Sequence, residues 1–136
     1  MAFLLRPSLH INTMSHCQDS KSTVMRSTAA AALLISSGLC APVLKGSFIR
    51  RMDSLFVRPA SADVPTENKS AFGAEMGDVA SLLRTCGDRS LVFVDEIGRG
   101  TSPKDGTSLA GAILEHMTEN GMSGMFATRK CESLIC

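Results

Sequence analysis

The segment Ser90-Leu91-Val92-Phe93-Val94 constrains this chain more than any other. It is a short, continuous apolar run rich in β-branched residues, as a central parallel strand covered on both faces requires. It stops abruptly at Asp95-Glu96, and Gly98-Arg99-Gly100-Thr101 then reads as a turn. Ser102-Pro103-Lys104-Asp105 offers an N-cap hydroxyl, a proline at the first helical position and an acid near the positive helix end. Leu109, Ile113, Leu114 and Met117 supply the buried stripe of that helix, which Asn120-Gly121 ends. A second strand is expected over about 124–128. Strand, helix and strand within about forty residues predict a βαβ crossover, so the fold class is α/β.

The rest of the chain is read around that unit. Residues 22–37 are dominated by Ala and Leu without Gly or Pro, which predicts a helix that stops before Gly38. The longest apolar stretch, 29–44, is interrupted by Ser36, Ser37, Gly38 and Pro42. It falls short of the roughly 18–20 residues that cross a bilayer, and is expected to be a buried helix followed by a turn. A short strand is expected over 53–57, and residues 58–69, with Pro59 and Pro65, read as a long loop. Phe72, Met76, Val79 and Leu83 recur at helical spacing, giving a helix to about Cys86 with Gly87 as its stop.

Composition removes several function classes. The 136 residues fit one domain, and with six Phe and no Trp or Tyr a base-stacking platform for single strands is not expected. Net charge is +1, but residues 1–58 hold seven Lys/Arg against two acids and residues 59–136 seven against eleven. A basic first half could meet phosphates, or be no more than a solvated surface. Five cysteines without a CxxC pair indicate neither a disulfide framework nor a thiolate zinc site, and fit a reducing, intracellular setting. Residues 1–11 form an unassigned leader; one basic residue and a following Ser/Thr-rich stretch are compatible with an organellar transit peptide.

Two constellations could carry chemistry. In open α/β sheets ligands bind beyond the carboxyl ends of the strands, where Asp95 and Glu96 lie. Adjacent carboxylates there suit one acid holding a metal and a neighbour polarising water, but they equally suit a solvated loop start. The second is Ser20-Lys21-Ser22-Thr23, expected at the start of the Ala-rich helix. A lysine and hydroxyls at a helix N-terminus can serve phosphate and Mg²⁺. The glycine positions of G-x-x-x-x-G-K-[ST] are nevertheless Ser15 and Ser20, and no glycine precedes Gly38. Side chains there obstruct the backbone angles and close approach that cradle phosphates.

Leu91 to Ser102, which includes the string D-E-I-G-R-G-T-S, continues through Asp105-Gly106 and Ser108-Leu109-Ala110 to Glu115-His116. This run closely resembles the MutS family of DNA mismatch-repair ATPases. The likeness covers about 13–128. Lys21-Ser22-Thr23 falls where the family's G-P-N-x-x-G-K-S-T loop ends, and Ser70, Phe72, Glu75 and Met76 resemble its S-T-F-x-x-E-M segment. The Ala-rich helix and Pro42 look most like the family's organellar branch.

The resemblance implies a P-loop NTPase of ABC-like type over residues 12–130, a partial ATPase domain with a parallel sheet flanked by helices, followed by a tail over 131–136. ATP and Mg²⁺ are the implied cofactors. By position, Lys21, Ser22 and Thr23 would serve the phosphates, Ser22 and Asp95 the Mg²⁺, and Glu96 the hydrolytic water. Ser70 looks like the residue offered across a homo- or heterodimer of MutS-like chains to the partner's ATP. An intact parent would engage mismatched double-stranded DNA in a nucleus or an organelle, without a membrane.

Departures accompany the likeness. Ser15-His16-Cys17-Gln18-Asp19-Ser20 replaces the glycine loop and adds an acid beside the phosphate position. Ala127-Thr128-Arg129 replaces the family's A-T-H switch, and the strand before the loop is faint in residues 9–13. A catalytically dead remnant that binds nucleotide weakly, or only dimerises, is therefore the competing expectation. His10, His16 and His116 lack metal spacing, and His116 is expected on an exposed helix side.

Overall fold

A computed structural model describes residues 2–4, 18–59, 71–98 and 101–128. Seven elements follow in order: β1 (Ala2–Leu4), α1 (Gln18–Ser36), β2 (Ser54–Arg58), α2 (Ala71–Thr85), β3 (Ser90–Asp95), α3 (Pro103–Glu119) and β4 (Ser123–Ala127). They build one four-stranded sheet of order β1-β4-β3-β2. β2, β3 and β4 are parallel, with Phe56 opposite Val92 and Val94 opposite Phe126. The α/β class and the parallel sheet are as expected.

β3 lies between two parallel neighbours, which is why it is apolar along its length. Its side chains alternate between two cores. Val92 and Val94 pack with Val79 and Leu82 of α2, Ala110, Ile113 and Met117 of α3, and Phe126. Phe93 packs on the other face with Met25 and Ala29 of α1, Met125 and Ala127. Helices thus cover both faces, and the fully buried Phe93, Phe126 and Leu82 each contribute about 2–3 kcal/mol by leaving water.

The predicted punctuation of α3 is present. Ser102 caps it, its Oγ accepting from the Asp105 N–H at 3.2 Å and donating to Asp105 Oδ2 at 2.7 Å, with Pro103 opening the helix. Asn120 is the C-cap and Gly121 follows at φ +63°. Such a cap is worth about 1 kcal/mol.

Three expectations are corrected, and the unassigned leader gains a strand. α1 begins at Gln18 rather than Ser22, because Gln18, Asp19 and Ser20 contain no helix breaker. It is also only half covered: Met25, Ala29 and Ala32 are buried but Val24 and Leu33 are exposed, as are Leu39 and Leu44 beyond its end. His116 is half-buried rather than exposed. Finally, within the leader, Ala2–Leu4 pairs antiparallel with β4, Phe3 opposite Met125. Three residues are too few to show a strand period, and the open edge of β4 supplies the partner. The faint strand at 9–13 lies outside the described residues.

Candidate functional site

Asp95 closes β3, and burial follows from its place in the fold. It is 3% exposed, and strand alternation puts it on the Phe93 face, the face that α1 covers. Its Oδ2 is buried with no hydrogen-bond partner among the described residues. A buried carboxylate oxygen without a donor is costly, and a cation is one group that would satisfy it. No group of three His, Cys, Asp or Glu gathers among the described residues.

Glu96 is half-buried, and its backbone is unusual. It has φ +49°, the one positive value at a non-glycine residue among those described. Its N–H donates to Ala127 O at 3.0 Å, and its carbonyl accepts from Arg58 Nη1 at 2.9 Å. A left-handed glutamate costs on the order of 1 kcal/mol, so the surroundings must hold it.

Those surroundings are specific. Arg58, buried at the end of β2, reaches Asp95 O at 3.3 Å as well as Glu96 O, and its Nη2 pairs with Glu75 Oε1 of α2 at 3.0 Å. Glu75 Oε2 accepts from the Gly98 N–H at 3.1 Å. Ile97 is buried in the core shared with α2 and α3. Gly98, at φ +81°, crosses the first turn of α3 so closely that a Cβ on it would lie 2.5 Å from Gly106 Cα. In the sequence Glu75 stands out only through the family pattern, and Arg58 reads as a loop start. Nothing local marks an arginine for burial.

At the start of α1, Lys21 and Ser22 are half-buried and Thr23 is exposed. Met25, one turn on, packs with Phe93 and Ala127, so the N-terminal end of α1 and Asp95 share one face and one end of the sheet. Lys21 and Ser22 lie near the start of α1 as expected, but one turn inside it rather than at its opening. With α1 beginning at Gln18, the amides of Ser22 and Thr23 are taken up within the helix. Ser70 lies outside the described residues.

Residues 15–134 match the family model for MutS domain V. The chain belongs to the MutS family. It is 40% identical over 108 residues to the DNA mismatch repair protein MSH1, mitochondrial, of Arabidopsis thaliana, a match covering 79% of this chain and 10% of that protein. It is 41% identical to DNA mismatch repair protein MutS of Symbiobacterium thermophilum over 109 residues, covering 79% and 12% respectively. The MutS protein of an Anaeromyxobacter species is 39% identical over 122 residues, covering 89% and 14%. The chain thus spans between a tenth and a seventh of the length of these MutS relatives. Among the described residues no helix is long and apolar enough to cross a membrane.

Proposed function

We propose that this MutS-family chain is part of a P-loop NTPase domain that binds Mg-ATP at the carboxyl end of its parallel sheet. In an intact parent, such a domain would couple ATP to recognition of mismatched DNA. The observation that carries this reading is the buried Oδ2 of Asp95, without a partner among the described residues, at the end of β3 beside Glu96.

The residues present fit the cation. Asp95 and the Ser22 hydroxyl would hold Mg²⁺, which when bound neutralises phosphate charge. Lys21 would bring its ammonium to the phosphates, with Thr23 beside it. Glu96 would accept a hydrogen bond from the attacking water and orient it, from a backbone already fixed by Arg58 and Ala127. Phosphoryl transfer is mainly positioning and charge stabilisation, so a rigid Asp95-Glu96 turn is the part of the machinery that this chain supplies best.

A second reading has its own observation. Because α1 takes up the amides of Ser22 and Thr23, phosphate would be gripped less firmly than at a helix opening on a glycine loop, which favours a weak nucleotide binder or a dimerising remnant. In either case Ser70 would face a second MutS-like chain, and an organellar or nuclear parent would supply the DNA contacts. Calorimetric titration of the chain with Mg-ATP separates the readings. Binding that Lys21→Ala weakens, with turnover that Glu96→Ala abolishes, supports the ATPase; binding without turnover supports the remnant; no binding removes both nucleotide readings.

A further inference from the structure

Arg58 is 3% exposed at the last position of β2, and its guanidinium ties α2 to the end of β3. On α2 it meets Glu75 Oε1 at 3.0 Å and Asp78 Oδ2 at 3.3 Å. On the turn after β3 it donates to the carbonyls of Asp95 at 3.3 Å and Glu96 at 2.9 Å. Glu75, 4% exposed, closes the circuit by accepting the Gly98 N–H at 3.1 Å.

Stability is a weak reason for such a pair. Two charges taken out of water pay a desolvation cost, and apolar residues of similar volume often serve the fold as well. What apolar residues could not do is bind three backbone groups of one turn. The two carbonyls and the amide held in this way bracket Glu96, the residue at φ +49°. The fork of an arginine suits the task, because one planar group offers separate donors to a carboxylate and to two carbonyls.

We propose that Arg58 and Glu75 are positioning residues that set the backbone of the turn over 95–98, and through it the aim of the Asp95 and Glu96 carboxylates at a divalent cation. The functional half of this proposal rests on the cation reading of Asp95 given above. Neither residue touches the cation; each acts through the turn.

The test uses the full 136-residue chain and Mn²⁺ alone as the probe, its affinity read by electron paramagnetic resonance. Amide hydrogen exchange is followed in parallel at Gly98 in the turn and at Val92 in the middle of β3. The double variant Arg58→Met/Glu75→Leu removes the brace without leaving either charge buried alone, and Arg58→Lys keeps the charge but loses the fork. Both variants are expected to lose Mn²⁺ affinity by about tenfold or more, as when a partner that orients a metal ligand is removed. Gly98 exchange is expected to accelerate while Val92 exchange stays as in the unaltered chain. Unchanged Mn²⁺ affinity and Gly98 exchange in both variants would overturn the proposal. Equal acceleration at Val92 and Gly98 would overturn it too, since the pair would then support the whole sheet. Should the unaltered chain bind no Mn²⁺, it is the cation reading that fails, and Gly98 exchange alone then decides whether the pair sets the turn.

Discussion

At the end of β3 the backbone is held from several sides: Arg58 and Glu75 from behind, Ile97 in the core, Gly98 against Gly106, and Ser102 capping the helix beyond. At the start of α1 the helix begins at Gln18 and carries Lys21, Ser22 and Thr23 within its first two turns. Both regions face the same end of the sheet, yet among the described residues only the first has its backbone held by buried charged side chains from other elements. The reason is physical. The β3 corner depends on core contacts and on hydrogen bonds from distant residues, none of which needs a glycine loop. A phosphate cradle depends on local backbone freedom, and Ser15 and Ser20 remove it. The two regions should therefore respond separately to mutation.

The largest effect should follow Arg58→Ala, which leaves Glu75 buried without its cation. About 3–5 kcal/mol of stability should be lost in urea unfolding, and a loss too small to resolve would show that the corner is not braced as described. Next is Gly98→Ala, where a positive φ and a methyl group 2.5 Å from Gly106 Cα act together. The expected cost is about 2–3 kcal/mol, again from urea unfolding, and a tolerant Gly98 would break the close crossing. Asp95→Asn replaces a carboxylate whose buried Oδ2 has no partner among the described residues, so without metal the chain should melt at the same temperature or slightly above it. Any stabilisation by added Mg²⁺ should vanish in that variant, as thermal melts would show. Lys21→Ala is the smallest, within about 0.5 kcal/mol by the same unfolding measurement; a larger loss would make the α1 start a structural joint and blur the contrast.

Much of this fold is legible in the sequence because its signals are local. The run Leu91–Val94 needs cover on both faces and receives it, and the cap, proline and terminal glycine of α3 each act within a turn of where they sit. The start of α1 is misplaced by the same logic, since Gln18, Asp19 and Ser20 neither favour nor forbid helix strongly. The site divides likewise. Asp95 and Glu96 are legible from the strand they end, but their support comes from Arg58, 37 residues away from Asp95, and from Glu75 on another element. Burial of an arginine is a consequence of tertiary partners, and no periodicity announces it.

We propose that Asp95, rather than the altered loop, gives this chain its cation-dependent hold on nucleotide. ATP titrated into the unaltered chain and into Asp95→Asn, each with Mg²⁺ and with a chelator, tests it most directly. Tighter binding with Mg²⁺ is expected in the unaltered chain, and identical binding with or without Mg²⁺ in Asp95→Asn. An equal gain from Mg²⁺ in both proteins, or no ATP binding by the unaltered chain, would contradict it.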